Sequence, residues 1–137
     1  MIRYLKIYIF IIFYFSRGSV YATAQHIEIK LQENTIKIFF NYTSSDRKKS
    51  DRFLVTEDGS NVYIFSCPQT LCFPMGSAYY TNPCSKINNG KKCLIFAVGR
   101  KVRLNNYPNM SQYETIFNQK DSLSTVRKKL KKLGFVD

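Results

Sequence analysis

Four cysteines, Cys67, Cys72, Cys84 and Cys93, are the residues with the most direct chemistry in this chain. Their spacings, C-x4-C and C-x8-C, could offer four thiolates to zinc, but only one of the two resembles a zinc-knuckle interval. A thioredoxin-like redox centre calls for C-x-x-C, where one thiolate is stabilised and the other resolves it, and the Cys67–Cys72 interval is too long. In an exported chain an even set reads as two disulfides. The three possible pairings stay open; the favoured one joins Cys84 to Cys93. Pro83 can begin a helical turn there and Asn89-Gly90 can reverse the chain toward a strand at Cys93. Cys67 then takes Cys72.

The compartment is read from the N-terminus. Arg3 and Lys6 precede an apolar run from Ile7 to Phe15, followed by small-residue sites at Val20-Tyr21-Ala22 and Ala22-Thr23-Ala24. This is the charge, core and exit pattern of a signal peptide over residues 1–22, with cleavage after 22 or 24. A helix of that apolar run rises only about 14 Å, too short for a bilayer core. No transmembrane anchor is therefore expected after cleavage, and the product is expected to be secreted or periplasmic. Residues 23–137 are short enough for one small domain without an internal linker or repeat.

Charge is the second chemical feature. The chain carries 21 Lys and Arg against 9 Asp and Glu, a net +12. Loss of Arg3, Lys6 and Arg17 with the signal leaves about +9. Such an excess attracts anionic surfaces in a salt-sensitive way without naming the anion. Two groups of cations fall on elements with a readable solvent face: Arg100, Lys101 and Arg103 near a strand, and Arg127, Lys128, Lys129, Lys131 and Lys132 on a C-terminal helix. These are the anion-binding candidates, with an anionic envelope component or a protein as partner.

Catalysis has little to stand on. His26 is the only histidine, carboxylates are scattered, and neither a nucleophile elbow nor a metal-binding helix motif is present. No catalytic residue, metal ligand or cofactor is assigned. Tyr79, Tyr80 and Phe73 lie close to the cysteines and read as core residues rather than a stacking platform. Export and the lack of an aromatic nucleic-acid motif argue against a nucleic-acid partner. Asn41-Tyr42-Thr43 and Asn109-Met110-Ser111 match glycosylation acceptors, triplets that arise by chance.

The elements that must position these residues follow from periodicity. Ile27, Ile29 and Leu31, then Ile36, Ile38 and Phe40, alternate with polar residues and predict a hairpin around Gln32–Thr35. Thr43–Asp51 reads as an exposed polar linker. Asp58-Gly59 between Phe53–Val55 and Val62–Phe65 predicts a second hairpin, so that four strands precede Cys67. Leu94–Val98 is apolar on both faces and belongs mid-sheet. Val102 and Leu104 alternate with Lys101 and Arg103. Leu123, Val126, Leu130 and Leu133 follow helical spacing, with Asp121 or Ser122 to cap and Gly134 to close, predicting a basic helix over 121–134.

The run Cys84-Ser-Lys-Ile-Asn-Asn-Gly-Lys-Lys-Cys93-Leu-Ile-Phe-Ala-Val-Gly-Arg-Lys-Val-Arg-Leu resembles a cysteine-containing module of small, uncharacterised exported proteins of Gram-negative bacteria, over about residues 76–106. The resemblance implies a helix, a strand, a tight turn at Gly99 and a further strand, with Cys84 and Cys93 stapling helix to sheet. Pro83 departs from the module, where the helix is continuous. The expected fold is α+β: a small, mostly antiparallel sheet, a short disulfide-tethered helix and a C-terminal amphipathic helix. The expected function is a non-catalytic binding protein of the envelope or medium with a basic surface against an anionic partner. The alternatives are a disulfide-stapled inhibitor or effector with a rigid loop at Phe73-Pro74-Met75-Gly76, and, further off, a thiol redox or metal-binding protein.

Overall fold

The computed structural model describes residues 28–67, 76–104 and 116–137. The expected signal segment, His26, Cys72, residues 73–75 of the expected rigid loop and the Asn109 triplet lie outside them.

The described chain is α+β. Its elements are α1 (Glu33–Ser44), β1 (Arg52–Thr56), β2 (Val62–Phe65), α2 (Ser77–Ile87), β3 (Cys93–Val98), β4 (Lys101–Val102) and α3 (Leu123–Lys132). The strands form one antiparallel sheet in the order β2-β1-β3-β4. Helices α1 and α3 share a core with one face of the sheet, and α2 packs on the other.

In place of the first expected hairpin stands α1, and among the described residues two strands, not four, precede Cys67. Thr35, Ile36, Phe39, Tyr42 and Thr43 are the buried residues of α1, a stripe at helical spacing. Phe39 stands at the centre of the aromatic core, with ring centroids 5.0, 5.2 and 5.1 Å from Phe53, Phe96 and Phe117. Burying that stripe against the sheet outweighs the shorter two-residue alternation of Ile36, Ile38 and Phe40. Residues 28–32 form no strand; the Leu31 N–H donates to the Phe135 carbonyl at 2.9 Å, tying this segment to the C-terminus.

The second hairpin forms as expected between β1 and β2. Its turn depends on Gly59, at φ +68°, where a Cβ would lie 1.9 Å from the Lys30 carbonyl oxygen. The Gly59 carbonyl in turn accepts from the Gln32 N–H and the Thr35 hydroxyl at the start of α1.

Strand β3 lies between β1 and β4, the interior position its apolar run predicts. The pairing Phe53↔Ala97 is followed by Leu54↔Ile95, leaving Phe96 as an extra residue. This bulge turns both Phe96 and Ala97 into the core beneath α1 and α3, whereas strict alternation would place them on opposite faces. Ile95 and Cys93 face α2. There Cys84 and Cys93 form a disulfide that staples α2 to β3. The helix runs through Pro83 without a break, although the proline ring denies the Tyr79 carbonyl its usual donor.

The C-terminal helix matches expectation closely. Ser122 caps it through its hydroxyl, which accepts from the Thr125 N–H at 3.2 Å. At the other end the Gly134 N–H bonds to the Lys131 carbonyl and the Phe135 N–H to the Leu130 carbonyl, a paired closure that sends Phe135 into the core.

Candidate anion-binding cleft

Three segments distant in sequence meet at the β4 edge of the sheet. The first, 45–51, leaves the C-terminus of α1. The second is the β3–β4 turn at Gly99-Arg100. The third, 116–119, runs beside β4, where Ile116 bridges Lys101 and the Phe117 N–H donates to the Arg100 carbonyl at 2.9 Å.

Gly99 lets the first two approach. It has φ +55°, and a Cβ there would sit 3.3 Å from the Lys49 Cα and 3.4 Å from the carbonyl oxygens of Lys48 and Lys49, a closeness few side chains tolerate. The Gly99 N–H donates to the Asp51 carbonyl at 2.7 Å. Next to it, Arg100 donates from Nε to the Thr43 carbonyl (2.9 Å) and from Nη2 to the Ser45 carbonyl (2.7 Å). These are carbonyls at the end of α1 that the helix itself leaves without donors.

Asp51 anchors the other side. Thr43–Asp51 was expected to be an exposed linker, yet both of its end residues are buried. The Asp51 carboxylate accepts from the backbone N–H groups of Cys67 (3.0 Å) and Lys48 (3.2 Å), and Arg47 approaches it at 3.9 Å. Cys67 is itself disulfide-bonded. Arg47 also donates to the Tyr42 carbonyl and places its guanidinium 4.7 Å from the Tyr42 ring centroid. The Tyr42 hydroxyl is buried and without a hydrogen-bond partner among the described residues. Burial, reinforced by the charge of Asp51, pushes its pKa well above the ordinary tyrosine value.

Beside these contacts lies a cleft of about 490 Å³ whose lining includes Arg47, Lys48, Lys49, Arg100, Lys101 and Arg103. None of the described lining residues is acidic. Lys48, Lys49 and Arg103 are exposed and the other three half-buried. Lys49 makes no hydrogen bond or ion pair among the described residues. The opposite wall carries half-exposed Ile116 and the amides of Asn118 and Gln119 above the buried Phe117. Such an arrangement can bind and orient a negatively charged group.

The structure divides the cationic candidates. Arg100, Lys101 and Arg103 line the cleft, Arg100 chiefly as the brace just described. The helical set is elsewhere and partly used within the fold. Arg127 pairs with Glu33 at 2.6 Å, and that hydrogen bond lowers the Glu33 pKa. Lys129 pairs with Asp121 at 2.6 Å, donates to the Ile116 carbonyl and lies over the Phe117 ring, supporting the cleft wall from behind. Lys128, Lys131 and Lys132 are exposed on α3. The depression beside Lys128 and Lys131 also contains the carboxylate of Asp137, so its field is mixed.

Arg47, Lys48 and Lys49 are the cleft residues that sequence reasoning passed over. Their run of positive charge was visible; nothing local indicates that it packs against Gly99. Tyr80 is buried against Phe65, with Arg52 over its ring, whereas Tyr79 is half exposed. Among the described residues there is no group of three or more His, Cys, Asp and Glu suited to a metal ion, and no helix long and apolar enough to cross a membrane. Comparison with protein-family models, curated proteins and solved structures finds no match to the chain.

Proposed function

We propose that this chain is an exported, non-catalytic binding protein of the cell envelope or surrounding medium that holds an anionic partner in the cleft at the β4 edge. The observation carrying this reading is that six cations from two separate segments line one concavity in which no described lining residue is acidic. Like charges held together raise the local potential, and an incoming anion relieves it. The leader-like N-terminus and the Cys84–Cys93 disulfide support an oxidising, exported setting.

Charge reversal in the cleft tests the reading. Co-sedimentation of the oxidised protein with phosphatidylglycerol vesicles is expected to weaken at least about tenfold in a Lys49→Glu, Lys101→Glu, Arg103→Glu variant, and to weaken as salt rises. Arg100 is left intact because its guanidinium braces α1. Binding that is unchanged by the reversal would overturn the proposal.

A further inference from the structure

The two edges of the sheet differ in charge and in cover, and the difference selects a partner. We infer that the β2 edge pairs with the β2 edge of a second copy of this chain, joining two four-stranded sheets into one antiparallel sheet around a two-fold axis.

Open backbone is the first reason. The register against β1 runs from Arg52↔Phe65 to Val55↔Val62, and the Thr56 N–H donates to the Asn61 carbonyl at 3.0 Å. Bonding alternates along an antiparallel pair, so the backbone groups of Asn61, Tyr63 and Phe65 face β1 and those of Val62 and Ile64 face outward. β2 is an end strand, and among the described residues no strand pairs with its outer side.

Missing charge is the second. Sheet edges are ordinarily guarded by charged side chains, Pro or a bulge. β2 reads Val62-Tyr63-Ile64-Phe65, pairs with β1 without a register shift, and belongs to a stretch with no Asp, Glu, Lys or Arg between Asp58 and Lys86. All four side chains are half-buried, Val62 and Ile64 against the core beneath α1, Tyr63 and Phe65 against the cluster under α2. Tyr79 of α2, its ring 5.8 Å from that of Phe65, is 51% exposed and continues the uncharged surface. In a chain of net charge +12, this strand can meet its own copy without setting like charges opposite each other.

The opposite edge is the third, because it decides between a closed dimer and an open chain of copies. β4 carries Lys101, and its outer side is already bridged by Ile116. A β2 edge therefore finds no open β4 edge on another copy, head-to-tail growth is blocked, and β2 meets β2. Antiparallel pairing centred on Tyr63 sets Val62 of each copy opposite Ile64 of the other, satisfying the outward N–H and C=O groups of both residues, and brings the two Tyr63 side chains together across the axis. The cleft at the β4 edge lies away from this junction.

The test is sedimentation velocity of the purified, oxidised chain over a concentration series. An edge this short makes a small interface of the weak, transient class, so a reversible monomer–dimer equilibrium is expected below about 500 µM. Tyr63→Lys and Tyr63→Glu are each expected to be monomeric over that range, because like charges then meet on the axis, and an equal mixture of the two is expected to dimerise again. Circular dichroism confirms that both variants fold. Amide hydrogen exchange of the unaltered chain supplies a readout that needs no variant: protection at Val62 and Ile64 should rise with concentration while that at Tyr63 and Phe65 stays constant. A chain that is monomeric throughout, with Val62 and Ile64 unprotected, overturns the inference and leaves the edge to a strand of another protein. Dimers that survive in Tyr63→Lys alone, a mixture that stays monomeric, or protection that rises elsewhere also overturn it. None of these outcomes bears on anion binding, since neither variant touches the cleft.

Discussion

Single side chains set the geometry here through the backbone groups they satisfy. Gly59 is the clearest case, because its carbonyl receives the start of α1 and its missing side chain admits the Lys30 carbonyl. Gly59→Ala is expected to destabilise by about 3 kcal/mol or more, since it combines a backbone clash with an unfavourable φ; a denaturant midpoint measures it. Asp58 in the same turn accepts from Lys91 Nζ at 2.7 Å and from the Ser60 hydroxyl and N–H. Those bonds, the one from Lys91 foremost, hold its carboxyl well below the usual carboxylate range. Glu33 and Asp137 are lowered in the same direction by hydrogen bonds from Arg127 and Lys30. A depressed folded-state pKa gives stability that is present above the unfolded value, about 4, and is lost as pH falls through the folded value. The melting temperature should therefore drop below about pH 4, and Asp58→Asn should blunt that drop; thermal melts across the acid range check both. These groups are exposed, so added salt should shrink the effect.

At the scale of elements, the covalent staple lies between α2 and β3. Replacing Cys84 and Cys93 together by serine is expected to cost about 2–3 kcal/mol, the amount the loop-closure argument gives for so short a loop, and to loosen α2 before the α1/α3 side of the sheet. Hydrogen exchange resolved by segment reads that order. The β1–β2 hairpin, the interior place of β3 and the capped α3 were legible because each rests on a local signal: a turn glycine, an apolar run, a serine followed by leucines at helical spacing. α1 was not. Ile36, Ile38 and Phe40 suggest a strand while Thr35, Ile36, Phe39 and Thr43 suggest a helix, and only the tertiary position of Phe39 decides between them. The bulge at Phe96 was equally hidden, since it depends on register against β1 rather than on residue type.

Across the whole molecule, the positive charge of the chain is general but its organisation is specific. Composition makes the excess evident, and Arg100, Lys101 and Arg103 were identifiable beside the turn glycine. Their meeting with Arg47, Lys48 and Lys49 was not, because it requires residues about fifty positions apart to share the space that Gly99 leaves open. The fold thus divides its cations: on α3, Arg127 and Lys129 fasten the helix and the 116–119 wall, and those at the β4 edge line a common cavity. The most direct test is a nitrogen-15 amide spectrum of the labelled, oxidised protein titrated with tripolyphosphate at moderate salt. The account predicts shifts at the amides of Lys48, Lys49, Gly99, Lys101 and Arg103 that saturate together near one equivalent, with those of Lys128, Lys131 and Lys132 nearly still. Shifts confined to α3, or spread evenly over the surface without saturation, would contradict it.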